Sequence, residues 1–179
     1  MRNERLERQR EVTREGKKKE DEVIELLRSA PDIDKNFIID RPSRIKKIHL
    51  KKEELEIPYN DHKEEIDADI CVIRKADKRL VCVISVKKSF RERGGQTAYW
   101  ATKIKQHGKK YKYILVTPDI DQELYNPQKP KKKRKWRIIL SFECDGVFIY
   151  SFKGKIYEEK NFFVGEDYLL DFIRRLTNE

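Results

Sequence analysis

The stretch that most restricts how this chain can fold runs from residue 65 to residue 87. Glu65-Ile-Asp-Ala-Asp-Ile-Cys-Val-Ile73 starts charged and becomes apolar. A polar turn, Arg74-Lys-Ala-Asp-Lys-Arg79, follows, and then Leu80-Val-Cys-Val-Ile-Ser-Val-Lys87. The second run is apolar at almost every position, as expected of a strand covered on both faces at the centre of a sheet. Side chains alternate along a strand, so Ser85 and Lys87 share one face, and Asp69, Cys71 and Ile73 share one on the strand before. A turn centred near Asp77 pairs Arg74 with Leu80. It also sets Asp69 opposite Ser85, with Lys87 on the diagonal. Direct cross-strand neighbours lie ~5 Å apart and diagonal ones ~7–8 Å. A slip of one residue would turn Asp69 to the other face, so the register decides whether these groups meet.

The elements on either side predict an α/β core. Residues 2–28 read as helix, the first fifteen almost wholly charged and suited to an arm. Val23, Ile24, Leu27 and Ala30 recur at helical spacing, Pro31 closes the segment, and Glu20 shares the apolar face. Phe37-Ile38-Ile39 reads as a short strand. Ile45, Ile48 and Leu50 read as packing residues, and Glu53 to Glu56 as a short helix. A helix is expected after Gly94-Gly95, carrying Ala98, Tyr99, Ala101 and Ile104, and a third strand over 111–117. Residues 136–142 and 147–152 read as two strands of a hairpin about Cys144-Asp145-Gly146, and 168–176 as a last helix. This order predicts one domain with a mixed sheet flanked by helices on both faces.

The chain has 179 residues, 41% of them charged, with a net charge of +10 and a pI near 9.4. A basic excess of that size suits a polyanion, nucleic acid before an anionic membrane. No apolar run approaches the ~20 residues that span a bilayer. The charged N-terminus lacks the apolar core of a secretory signal, which points to the cytoplasm. Cys71, Cys82 and Cys144 form no CxxC pair and read as buried reduced thiols. His49, His62 and His107 are scattered and make no metal-ligand pattern.

A carboxylate, a second ligand and a lysine on one face suit metal-assisted phosphodiester hydrolysis. Mg²⁺ takes hard oxygen ligands, commonly one or two carboxylates plus substrate phosphate. The lysine offsets charge developing on the phosphate. A surface strand that ends in lysine beside a capping Asp has the same spacing.

Asp69 followed by Ser85-Val86-Lys87 resembles the signature of the PD-(D/E)XK nucleases. The longer run Ser85-Val-Lys-Lys-Ser-Phe-Arg-Glu-Arg-Gly-Gly-Gln96 is similar to the S-x-K-x-S-x-R-E-R-x-x-Q stretch of several type II restriction endonucleases. Gly16-Lys-Lys-Lys-Glu20 before an apolar helix resembles the first core helix of that fold. The match covers about residues 16–117 and departs from the pattern twice. Ala68 stands where the family has Pro, which makes Asp67 a rival to Asp69 as metal ligand. Ser85 stands where an acid is usual, so a replacement acid is expected, Glu20 first and Glu92 second.

The resemblance implies a Mg²⁺-dependent, sequence-specific endodeoxyribonuclease. Asp69 and Glu20, or Glu92, would hold metal, Ser85 would line the site, and Lys87 would act on nucleophile and phosphate. It also implies a homodimer on double-stranded DNA and a cognate methyltransferase. Arg91, Arg93 and Gln96, at a helix start, suit phosphate contacts. Lys131, Lys132, Lys133, Arg134 and Lys135 suit a loop that tracks the DNA backbone. A catalytic subunit of a heterodimeric restriction enzyme, a repair or junction-resolving nuclease, and a nucleic-acid binder with a dead site are the competing readings.

Overall fold

The computed structural model describes residues 2–90 and 94–178. The chain opens with one long helix, α1 (Arg2–Arg28), in which the charged arm and the apolar stripe are continuous. Its many Glu, Lys, Arg and Leu residues are strong helix formers, and Gly16 is its single glycine, with no proline. Val23, Ile24 and Leu27 are buried. Pro31 ends that run by starting a new helix, α2 (Pro31–Asn36), at the first-turn position where its missing N–H has no cost. The chain then enters β1 (Phe37–Asp40), a small hairpin of β2 (Glu56–Tyr59) and β3 (His62–Glu65), and the central pair β4 (Ile70–Arg74) and β5 (Leu80–Val86). Next come α3 (Gly94–Gln106), β6 (Lys112–Thr117), α4 (Lys135–Glu143), β7 (Gly146–Ile149), β8 (Tyr157–Glu159), β9 (Phe162–Val164) and α5 (Glu166–Arg175).

Seven strands form one mixed sheet in the order β1-β4-β5-β6-β7-β9-β8. β1, β4 and β5 pair antiparallel. β5, β6, β7 and β9 run parallel, joined through α3 and α4, and β8 closes the far edge antiparallel to β9. On one face Val23, Leu27, Ile33, Leu169 and Ile173, from α1, α2 and α5, pack on Ile70, Val72, Ile84 and Val116. On the other, Ala101, Ile104, Leu140 and Ile57 pack on Cys71, Val83, Tyr113 and Leu115. This is the expected α/β class, with helices on both faces.

Four local expectations are corrected. Residues 136–142 are not a strand but most of α4. The run is apolar around the whole backbone, and periodicity does not separate a short strand from a helix in such a run. In the helix Arg137, Leu140 and Cys144 fall on the buried side, while Ile138 and Phe142 face out. Cys144-Asp145-Gly146 is therefore a helix-to-strand connection and not a hairpin. Asp145 exchanges hydrogen bonds with the backbone of Tyr113, which seats β7 parallel to β6. Residues 53–56 are not a helix of their own: Glu53 and Glu54 belong to a single 3₁₀ turn, Lys52–Glu54, and Glu56 already starts β2. Arg74 does not pair with Leu80. A bulge between Val72 and Ile73 moves that partner to Ile73. Ile48 does not pack at all and is 78% exposed.

Among the described residues no helix is long and apolar enough to cross a membrane. All three cysteines are buried and in the thiol form, and burial pushes the thiols of Cys71 and Cys144 up to about 12.

Candidate active site

The bulge leaves the site end of the central pair in the expected register. Ile70 faces Ile84, and the Asp69 N–H donates to the Ile84 carbonyl oxygen at 3.1 Å, so Asp69 lies across from Ser85. Just ahead of β4's first pair, Ile70 with Ile84, the Asp69 side chain takes over from the backbone. Its Oδ2 accepts from the Val86 N–H at 2.6 Å and from Lys87 Nζ at 3.0 Å. The Lys87 N–H continues the parallel ladder to the Val116 carbonyl at 3.2 Å, so the lysine leaves the sheet from a fixed backbone.

Lys87 Nζ also lies 2.9 Å from Asp67 Oδ2. That approach is an ion pair without hydrogen-bond alignment, because Asp67 Oδ2 is buried and receives no hydrogen bond. Residues 67 and 69 are two apart on extended chain, so both carboxylates reach the same ammonium. The rivalry between Asp67 and Asp69 thus becomes a shared position. Burial draws the Lys87 pKa down, but the two carboxylates together outweigh it and hold it above the ordinary lysine value. Lys87 is a fixed cation at neutral pH. Two carboxylates against one ammonium leave one excess negative charge in a largely enclosed place.

Ser85 is on the expected face but fully buried, and like Lys87 and Asp67 it does not line the open cleft that Asp69 reaches. Its Oγ makes no hydrogen bond. The Tyr113 hydroxyl, which also faces Ser85, donates instead to the Asp67 carbonyl oxygen at 3.2 Å.

Glu20 and Asp69 both line a cleft of about 790 Å³ at the rim of the sheet. Glu20 is not free there. Arg41, at the end of β1 and largely buried, donates from Nε to Glu20, from Nη1 to Asp21 at 2.8 Å and from Nη2 to the Lys17 carbonyl at 2.7 Å. Arg41 lies 21 residues from Glu20 in the sequence, and no local pattern announces it.

Arg91, Glu92 and Arg93 lie outside the described residues. Gln96 is exposed in the first turn of α3. Gly94, at the start of α3, abuts the indole of Trp136. A Cβ there would come within 2.4 Å of the ring, so the two helix starts meet. This contact places the basic run beside α3. Lys131 and Lys132 are exposed, but Lys133 pairs with Glu159 at 2.6 Å and Arg134 with Glu123 at 3.7 Å. Lys135 sits in the first turn of α4, its Nζ over the Trp136 ring.

Two acids in the polar stretch after β6 escaped sequence reasoning. Asp119 is buried and accepts from the Leu124 and Tyr125 N–H groups. Asp121 Oδ2 accepts from the Phe90 N–H at 2.9 Å, just beyond Lys87. Together they shape the loop behind the strand end. Burial outweighs the hydrogen bonds of Asp119 and raises its pKa to about 6, against ~3.9 in an unfolded chain. The folded protein therefore holds a proton that the unfolded chain releases between these values. The stability due to this group falls as pH rises from about 4 to about 6 and stays low above. Urea unfolding of Asp119→Asn is expected to lack this component. From pH 4 to pH 7 the native protein should lose on the order of 2–3 kcal/mol relative to the variant, whereas parallel curves would remove Asp119 as the cause.

Among the described residues no group of three or more His, Cys, Asp or Glu is placed to hold a metal ion. The donors that do converge are the two carboxylates of Asp67 and Asp69, one with an oxygen left without a hydrogen bond. Two hard carboxylates, with water and a substrate phosphate completing the set, fit a cation of the magnesium type.

A family model for the BsaWI restriction endonuclease type 2 matches residues 43–164, well over half of the chain and all of the strands from β2 to β9. One relative, named as a type II restriction enzyme, MjaVIP, from Methanocaldococcus jannaschii, is 38% identical over 96 residues, covering 51% of this chain and 42% of its own length. Another, named as a type II restriction enzyme, HpyAORF263P, from Helicobacter pylori, is 31% identical over 119 residues, covering 62% of each chain. The chain thus spans about half the length of the curated relatives it matches. The crystal structure of a pre-specific BsaWI–DNA complex has the same fold, with a TM-score of 0.59 at 9% identity over 98% of this chain and 66% of that one. The match over residues 43–164, which takes in six of the seven strands of the main sheet, means that this chain belongs to the BsaWI family of type II restriction endonucleases.

Proposed function

We propose that the chain is a Mg²⁺-dependent, sequence-specific endodeoxyribonuclease, a restriction enzyme that hydrolyses phosphodiester bonds of double-stranded DNA. The observation that carries the reading is the Lys87 ammonium between the carboxylates of Asp67 and Asp69, at the end of the two central strands. Asp67 and Asp69 would hold the metal, with Glu20 or Glu92 as a further acid. Bound there, the metal would polarise the scissile phosphate and lower the pKa of water.

The protein's own groups do the rest. Asp69 is fixed by the Val86 N–H, so its carboxylate does not swing on binding. Lys87, held as an ammonium between the two carboxylates, would serve as a hydrogen-bond donor and a positive charge toward the phosphate and the attacking water. Its neutralising partners become available to a cation as the ammonium turns to the phosphate. Gln96, Arg91, Arg93 and the 131–135 run would hold flanking phosphates. A single domain with one site cuts both strands most simply as a two-fold dimer on a palindromic target. A methyltransferase would protect the host DNA in the same cytoplasm.

Supercoiled plasmid incubated with the protein is expected to give discrete fragments in Mg²⁺ and no fragments in EDTA. Cutting confined to branched DNA would replace restriction with junction resolution. Salt-sensitive binding without cutting would make the chain a binder, and activity gained only with a second polypeptide would make it a subunit.

A further inference from the structure

The stretch Arg41-Pro-Ser-Arg-Ile-Lys-Lys-Ile-His-Leu-Lys-Lys52 contains no acid. Past Arg41 the site described above does not use it, yet it builds one wall of the same cleft. Ile45, Lys47, Leu50 and Lys51 line that cleft together with Asp69. The middle of the stretch is a closed turn. The N–H groups of His49 and Leu50 both donate to the Lys46 carbonyl oxygen, at 2.8 and 3.3 Å. Both feet are anchored, since Leu50 is buried and Ile45 packs on the same core. Ile48 stands at the tip, 78% exposed, and Lys46 and Lys47 beside it are exposed too.

A lone exposed isoleucine says little by itself. Here a hydrogen-bonded turn with buried feet holds it away from a core that its neighbours Ile45 and Leu50 both reach. The charged side chains of the stretch itself are all positive, although Glu53 and Glu65 line the same cleft. That combination suits a partner that is anionic outside and apolar within, which describes the groove of a DNA duplex.

We infer that the Lys46–Leu50 turn is a DNA-reading element, with Lys46 and Lys47 on phosphates and Ile48 in apolar contact with base edges in a groove. The inference rests on the nuclease reading above, because a duplex with its scissile phosphate at Asp69 and Lys87 passes along this wall. Lysines on phosphates give affinity without sequence information. An aliphatic side chain adds discrimination, against a thymine methyl in the major groove or as a wedge in the minor groove. A turn already held by its feet needs little ordering when it binds.

The test uses the full chain and a fluorescent mixed-sequence 30-base-pair duplex in EDTA, titrated at several KCl concentrations. Lys46→Ala/Lys47→Ala is expected to lower the slope of log K against log salt by about 2. Arg79→Ala/Lys110→Ala, at the opposite end of the central strands, removes equal charge and should leave the slope unchanged within error. Ile48→Ala should keep the slope but bind about fivefold more weakly to a duplex containing a site the native protein cuts. Thermal unfolding of each variant should match the native protein, since all these side chains are exposed. An unchanged slope for the Lys46/Lys47 variant, with native binding intact, overturns the inference and leaves the nuclease reading standing. A change of oligomeric state in Ile48→Ala, seen by light scattering, overturns it in favour of a protein partner. If the native protein neither binds the duplex nor cuts plasmid in Mg²⁺, both readings fall together.

Discussion

Asp69→Asn is expected to lose at least about 10³-fold in Mg²⁺-dependent cleavage while still binding DNA. The amide keeps the shape of the side chain and an oxygen to accept the Val86 N–H, so the strand end stays in place. What goes is the negative charge that a divalent cation needs. Binding in the absence of metal should hold or tighten, because a carboxylate facing phosphate repels it. Lys87→Ala should cost about 10²–10³-fold in cleavage for a different reason. It removes the cation beside the phosphate and leaves Asp67 and Asp69 facing each other without the ammonium that now bridges them. Plasmid nicking rates for both variants, measured beside duplex affinity in EDTA, separate lost chemistry from lost binding. Near-native rates in either variant would remove that residue from the site.

Gly165→Ala is expected to be the most damaging single-methyl change in the fold. Gly165 links β9 to α5 with φ of +123°, which side chains of L-residues rarely adopt. A Cβ there would lie 1.9 Å from the Gly154 carbonyl oxygen, and backbone cannot rotate away as a side chain can. The Gly165 N–H also donates to the Ile149 carbonyl at 2.9 Å, which ties the turn to the end of β7. Strained backbone and overpacking each cost about 1–3 kcal/mol, so a loss of roughly 3–5 kcal/mol is expected. In a chain of this size that lowers the unfolding midpoint by on the order of 10 °C. A midpoint within 2–3 °C of native in a thermal melt would contradict the local geometry.

How far the sequence could be read varies with the kind of signal. The central pair was legible because two apolar runs around a polar turn admit few alternatives, and side-chain alternation then aligns Asp69 with Ser85. The turn register was one residue off. The bulge between Val72 and Ile73 absorbs that residue before the site, so the error did not travel. Alternation also explains why Asp67 and Asp69 both reach Lys87: residues two apart on extended chain point the same way. The run before Cys144 was illegible because it is apolar all round, and only its parallel partner β6 reveals α4 as a crossover helix. β2, β3, β8 and β9 are three or four residues each, too short for a period to show. Glu20 was found by its helical face, whereas its partner Arg41 comes from a distant strand end. Asp119 and Asp121 looked like ordinary polar loop residues, and only burial and backbone hydrogen bonds single them out. Ile48 was assigned to the core from its type alone, yet the turn that holds it outward is the better guide to what it does.

The central claim is that Asp67, Asp69 and Lys87 cut DNA at a defined sequence. Its most direct test is a digest of a fully sequenced genome in Mg²⁺, with the fragment ends sequenced and the Asp69→Asn protein run beside the native one. The account predicts native ends that share one short sequence with a fixed cut position, and none of those ends from the variant. Ends scattered without a common sequence, or the same ends produced by Asp69→Asn, would contradict it.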